Sequence, residues 1–213
     1  MGDMFIEAKY TGNVKPVIEK SLKFLPRKVG LVTTAQHKHE LKKAKQIIEK
    51  AGKKAVIGEQ ILGCDVSAAI KIKNKVDAFL YMGSGEFHPL GVALETGKKV
   101  IIANPLSGGV SKIKKEDVEK YKKKQKGALL KFLSSKEIGI LVSTKPGQER
   151  LKKAMELKKK LKDKNCYIFM ADTINPAEFE NFPFIECWIN TACPRFADDK
   201  TGVVNYELVE ENL

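Results

Sequence analysis

Short apolar runs alternate with longer lysine-rich segments along nearly the whole chain, and this alternation restricts the fold more than any other feature. The runs at 29–33, 77–82, 100–103, 138–143 and 167–170 are bounded by turn residues, as buried strands are. Between them, apolar residues recur at helical spacing. Leu41, Ala44, Ile47, Ile48 and Ala51 form one such stripe within a helix expected over 37–51. Strands joined through helices need crossover connections. The expected fold is therefore α/β, with mostly parallel sheets.

The remaining expected elements complete two related units. A strand over 5–8 leads to a helix over 14–25, with Asn13 available as its cap and Pro16 in its first turn. A strand at 55–57, a helix near 66–73 and a helix over 89–95 fill the first unit, 1–110. A long lysine-rich helix over 113–133 links it to the second unit, 111–213, with a helix over 148–161, a short helix over 177–180 and a strand over 184–190. An internal repeat supports the pairing. Val32-Thr-Thr followed by Leu41-Lys-Lys-Ala44 recurs 110 positions later as Val142-Ser-Thr and Leu151-Lys-Lys-Ala154.

The 213 residues suffice to bury a real core, and no run of 18 apolar residues predicts a membrane span. The first residues lack a basic region followed by an apolar stretch, so no secretory signal is expected. A cytoplasmic chain keeps its thiols reduced. Metal binding or catalysis thus outranks disulfides for Cys64, Cys166, Cys187 and Cys193. The net charge of +13 invites a nucleic-acid reading. Yet only Arg27, Arg150 and Arg195 are arginines, and no aromatics interleave the lysines as single-strand binders require. A solvated lysine face is the simpler account; attraction to an acidic protein, or RNA bound to it, is the other.

Four segments carry candidate chemistry. Cys193 lies just beyond the apolar run that ends in Trp188-Ile-Asn190, and Pro194 cannot continue a central ladder. That thiol is expected at a strand's carboxyl mouth, where α/β proteins place their chemistry, unless it is a buried structural cysteine. The run at 77–82 breaks into Gly83-Ser-Gly-Glu-Phe-His-Pro-Leu-Gly91, placing Ser84, Glu86 and His88 at a similar mouth. Cys64 follows a glycine at a loop-to-helix junction. Lys145-Pro-Gly147-Gln148 is expected to open a helix whose backbone N–H groups could hold a carboxylate or phosphate.

The strings LGC at 62–64, GSGEFHPLGVAL at 83–94, STKPGQ at 143–148 and NTACPR at 190–195 together resemble the diphthamide synthase family. The resemblance runs over nearly the whole chain, with the four strings in the family's order. It implies two of three pseudo-repeated α/β domains, the second and third, with no counterpart of the domain that carries the first cysteine. It implies a 4Fe–4S cluster with Cys64 and Cys193 as ligands and a third cysteine from outside. That cysteine would come from a separate chain or a homodimer, unless the chain is a fragment. The implied chemistry is reductive cleavage of S-adenosylmethionine. The released 3-amino-3-carboxypropyl radical adds to a histidine of elongation factor 2, the first step of diphthamide biosynthesis.

On that reading Gly83, Ser84, Gly85, Glu86, His88, Gly147 and Gln148 are candidate contacts for the amino and carboxylate groups of the methionine moiety. Cys187 is expected in the core. If 187–193 were one extended segment, its ends would lie about 20 Å apart, too far for one cluster. Cys166, at a helix-to-strand junction, is likewise expected to be structural. His37 and His39 read as a solvated helix start, and Asp198-Asp199 as a surface turn. Two other readings stay open: a quinolinate-synthase-like 4Fe–4S dehydratase, and a non-catalytic truncated partner subunit.

Overall fold

The computed structural model describes residues 8–198 and 202–213. The expected strand over 5–8 therefore lies, apart from Ala8, outside the described residues. The chain divides into two compact units, Met1–Val118 and Glu119–Leu213. The division falls within a 20-residue helix, α5 (Lys115–Ser134).

In the first unit, β1 (Lys28–Thr33), β2 (Lys54–Gln60), β3 (Ala78–Met82), β4 (Lys99–Asn104) and β5 (Gly109–Lys112) form one sheet in the order β2-β1-β3-β4-β5. All pairings are parallel except β4 with β5. Side chains alternate across the pleat, so each strand feeds two apolar layers. Leu31, Leu80 and Ile101 meet α1 (Lys15–Ser21) and α2 (Leu41–Lys50) on one face. Val32, Phe79 and Ile102 meet α3 (Ser67–Ile70) and α4 (Phe87–Thr96) on the other.

In the second unit, β6 (Glu137–Ser143), β7 (Asn165–Ala171), β8 (Cys187–Asn190) and β9 (Val203–Asn205) form an all-parallel sheet in the order β7-β6-β8-β9. Helices α5, α6 (Leu151–Lys160) and α8 (Tyr206–Glu210) supply Phe132, Leu157 and Val209 to one face. An aromatic group around Trp188 covers the other, with Phe179 stacked on the indole at 4.3 Å. A short helix, α7 (Arg195–Asp198), follows Cys193.

The first four strands of the larger sheet follow the same order as those of the smaller one, and the internal repeat extends into the packing. Gly30 in β1 lies opposite Phe79 in β3, and a Cβ on that glycine would come within 2.7 Å of the ring. Gly139 in β6 lies opposite Trp188 in β8, and its Cβ would come within 2.3 Å. Both residues of the second pair stand 109 positions after those of the first. In each unit a bare central-strand position is what lets a large aromatic from the next strand lie flat on the sheet.

Several elements differ from the expected ones. The helix over 14–25 is α-helical only to Ser21 and tightens into a 3-10 turn, Leu22–Phe24. Asn13 does accept the N–H of Lys15, at 3.0 Å. Residues Ala35–Glu40 are also 3-10, so the α-helix begins at Leu41. The strand over 184–190 shrinks to Cys187–Asn190, because Ile185 N–H turns back to the carbonyl of Phe182 at 3.0 Å. The chain turns again after Asn190, so 187–193 is not one extended segment.

Candidate functional site

Parallel strands end together, and in both units the candidate residues lie on turns that leave these carboxyl ends. In the first unit, Thr33 donates its hydroxyl to the carbonyl of Met82 at 2.5 Å, tying the ends of β1 and β3. Gly83 continues by donating to Ala103 O at 3.0 Å. A Cβ on Gly83 would sit 2.6 Å from the Tyr81 hydroxyl, and Gly85 has a φ of +75°, which side-chain-bearing residues rarely adopt. Ser84 and Glu86 are thereby held in a tight turn, from which α4 starts at Phe87. Tyr81 donates to Ser84 O at 3.3 Å. Its burial pushes the phenol up to about 12, so it stays a neutral donor. The ring of His88 stacks parallel to that of Tyr81 at 6.0 Å.

Cys64 sits at the tip of a closed turn. Leu62 and Asp65 exchange backbone hydrogen bonds of 2.8 and 3.3 Å. The Asp65 carboxylate accepts the Ser67 N–H at 2.9 Å, and this contact holds the carboxyl below its usual range. A Cβ at Gly63 would meet the Phe87 ring at 1.8 Å, so Phe87 packs directly on the turn that carries the thiol. The Cys64 turn and the start of α4 thus form one packed feature. Cys64 itself is exposed.

In the second unit, the Cys193 loop is fixed by two side-chain amides, Asn190 and Asn205. Asn190, 1% exposed, accepts the Ala192 N–H at 3.1 Å and donates to Cys193 O at 2.9 Å and to Asn205 Oδ1 at 2.7 Å. Asn205 donates to Pro194 O at 3.1 Å, and the buried Thr191 hydroxyl donates to Leu141 O at 2.8 Å. The backbone around Cys193 is pinned while its side chain is left exposed. Cys166 and Cys187 are buried, 7% and 0% exposed. Desolvation raises both thiols, Cys187 to about 11. Thiolates are the metal-binding form, so the two exposed cysteines are the better donors.

The Lys145–Gln148 segment departs from expectation. Helix α6 begins at Leu151, and Gln148 closes a turn by donating to Lys145 O at 3.0 Å. Lys145 N–H is held by Ser143 Oγ at 3.2 Å. The amides expected to be open for an anion at Gly147 and Gln148 are partly used within the loop. Asp199 and the side chain of Asp198 lie outside the described residues.

Sequence patterns give no hint of a further feature. A cleft of about 390 Å³ opens in the first unit between Tyr10, Thr34, His37, Tyr81, Ser84 and His88. His37 is 5% exposed rather than solvated, because the 3-10 segment turns it inward against Tyr10, with ring centroids 4.8 Å apart. His39, expected with it at a solvated helix start, faces Glu40 at 3.6 Å.

Burial, aided by His39 and opposed by Glu40, lowers the His37 pKa. As pH falls below about 6.5, unfolded chains take up this proton before folded ones do. The stability contributed by His37 is complete above that pH and is lost as pH falls toward the folded-state pKa. Urea midpoints for His37→Phe are expected to fall less than those of the native chain between about pH 7 and about pH 5. Equal falls would mean that His37 is not buried.

No group of three or more His, Cys, Asp or Glu among the described residues forms a metal site. No helix among them is long and apolar enough to cross a membrane.

The profile of the diphthamide synthesis protein family matches residues 3–203. The 2-(3-amino-3-carboxypropyl)histidine synthase of Pyrococcus horikoshii is 37% identical over 192 residues, 85% of this chain and 54% of that protein. The enzyme of the same name from Methanocaldococcus jannaschii is 36% identical over 197 residues, 91% of this chain and 52% of that protein. The crystal structure of Dph2 from Pyrococcus horikoshii with a 4Fe–4S cluster matches with a TM-score of 0.84 at 33% identity, covering 95% of this chain and 63% of that one. The chain spans about half the length of the curated relatives it matches.

Proposed function

The chain belongs to the diphthamide synthesis protein family, and on that premise we propose that it forms part of a cytoplasmic 4Fe–4S transferase. The enzyme cleaves S-adenosylmethionine and adds the 3-amino-3-carboxypropyl group to a histidine of elongation factor 2. The observation that carries this reading is the sorting of the four thiols. Each unit presents one exposed cysteine on a structured turn, and the other two are buried. Thiolates on rigid turns are the soft donors a cluster needs, so Cys64 and Cys193 fit two of its corners. When bound, the cluster supplies one electron for breaking a sulfonium C–S bond.

The chain's own groups hold and orient. The Asp65-capped turn and the Asn190–Asn205 pair set the two thiolates. The Gly83–Glu86 turn offers Ser84 and Glu86 to the amino and carboxylate groups of the methionine moiety, and His88 borders the neighbouring cleft. Two thiolates do not fill a cluster's protein-ligand set, so a third comes from outside the described residues, on a partner chain or a further domain. The family match supports this transferase over a quinolinate-synthase-like dehydratase.

Anaerobic reconstitution tests the reading. Iron binding by the chain alone should be weak. A cysteine-bearing partner domain should bring it to a full cluster and allow transfer to elongation factor 2, read as a mass gain on the target histidine. Stable, active cluster binding by the chain alone would contradict the shared ligand set. No transfer by a fully loaded complex would contradict the transferase.

A further inference from the structure

Among the described residues, Glu59 is the only non-glycine residue with a positive φ, +67°. That left-handed region crowds a Cβ against the following carbonyl, so it is costly unless the surrounding structure holds the residue there. The side chain does not explain the conformation. Glu59 Oε2 lies 3.5 Å from Lys38 Nζ, but both side chains are more than half exposed, where an ion pair contributes little. The backbone does explain it. β1 pairs Leu31 with Ile57 and then Thr33 with Gln60, so two steps along β1 match three along β2. Glu59 lies in this bulge, which absorbs one extra residue.

The bulge resets which face of the sheet the chain serves. Ala55 and Ile57 belong to the layer under α1 and α2, and Val56 to the layer under α3 and α4. Gly58 faces the α3–α4 layer too, since a Cβ on it would come within 2.8 Å of Ile72 and 3.0 Å of Val32. Regular alternation would next send Gln60 into that layer and Ile61 to the opposite face. Instead Ile61 is 1% exposed in the α3–α4 layer, and its N–H reaches Thr33 O at 2.8 Å. The closed Leu62–Asp65 turn follows at once, so Cys64 emerges on the side where Phe87 of α4 packs on Gly63. If the extra residue were not taken up at Glu59, the same chain would deliver this turn out of phase with α4.

We propose that Glu59 is a positioning residue: its left-handed bulge, rather than its carboxylate, sets the Cys64 turn against the start of α4. The proposal concerns where the thiol is held; that the thiol then binds a cluster rests on the transferase reading above.

A nitroxide attached to Cys64 reads the turn directly, in the full chain carrying Cys193→Ser so that the other exposed thiol takes no label. Glu59→Gly keeps the left-handed conformation without the Cβ. It should give the native spectrum and raise the thermal midpoint by about 2–4 °C. Glu59→Gln removes the charge facing Lys38 and should leave both readings unchanged. Glu59→Val places a β-branched residue where a positive φ is least tolerated. Its label should become mobile well below the thermal midpoint, and the Ile61 N–H should exchange about tenfold faster than in the native chain. A native spectrum in Glu59→Val would overturn the proposal. So would a midpoint for Glu59→Gly at or below the native one, a result that counts even if Glu59→Val fails to fold. An effect in Glu59→Gln equal to that in Glu59→Val would also overturn it, because the carboxylate would then hold the role. Iron counting in the completed enzyme, with Cys193 restored, separates this proposal from the transferase reading. Iron should fall in Glu59→Val and stay native in Glu59→Gly. A mobile Cys64 in Glu59→Val with full iron keeps the positioning role and removes Cys64 as a ligand. A fixed Cys64 in Glu59→Val with full iron removes the positioning role and keeps the ligand.

Discussion

Cys64→Ala and Cys193→Ala should each abolish cluster assembly in the completed enzyme, whereas Cys166→Ala and Cys187→Ala should retain the native iron content. The difference follows from access and ionisation. A cluster ligand must be reachable and able to shed its proton. Cys64 and Cys193 are exposed on turns held by backbone and side-chain hydrogen bonds. Cys187 is fully buried in the core cluster that holds Ile138 and Ile189, and burial pushes its thiol to about 11, so it is protonated at neutral pH. Its replacement removes packing and should cost on the order of 1 kcal/mol, visible as a lower denaturation midpoint with no change in iron. Anaerobic reconstitution of the four variants with iron counting gives the answer. Iron loss in Cys187→Ala equal to that in Cys193→Ala would show that the second unit rearranges to use its buried thiol.

Asn190→Ala should be the most damaging substitution near Cys193 that leaves every thiol in place. It strips the partner from the Ala192 N–H, the Cys193 carbonyl and Asn205 Oδ1, all beside a nearly fully buried position. Unmet buried groups cost about 1–3 kcal/mol each, with some relief from water entering the gap. A net loss on the order of 3 kcal/mol is expected, large against the usual stability of a domain this size. Iron binding should weaken together with it, because the loop backbone is no longer fixed. Asn190→Asp keeps the acceptor for Ala192 but turns an ionised oxygen toward two carbonyl-type acceptors. Its carboxyl pKa should therefore be raised in the folded state. That variant should be most stable at acid pH, below the unfolded pKa of about 3.9, and lose stability as pH rises through the folded value. Paired denaturation curves measure both effects. Native stability in Asn190→Ala would show that the amide network does not hold the loop.

Most strands of both sheets were legible because they are short, apolar and closed by turn residues; the antiparallel edge strand Gly109–Lys112, with one apolar residue, was not. The repeat beginning at Val32 and Val142 pointed to the common order of the two sheets, since β1 and β6 end one residue after them and α2 and α6 begin at Leu41 and Leu151. What escaped the pattern has local causes. The three-residue strand Val203–Asn205 is too short to show a period. The 3-10 segment Ala35–Glu40 breaks helical spacing, and it is what turns His37 inward. At Lys145–Gln148, a turn closed by its own carbonyl and hydroxyl imitates a helix start. The two exposed cysteines could be singled out from their places after predicted core segments. The amides that fix one of them could not, because Asn205 reaches Asn190 from 15 residues further along the chain.

The most direct test is the identity of the product released from S-adenosylmethionine by the dithionite-reduced, cluster-loaded complex. Transfer of the 3-amino-3-carboxypropyl group requires breaking the sulfonium bond to that group, which leaves 5′-methylthioadenosine. The account predicts that this nucleoside accumulates in step with modification of elongation factor 2, and that both disappear in Cys64→Ala and Cys193→Ala. Release of 5′-deoxyadenosine instead, or an undiminished yield from either cysteine variant, would contradict it.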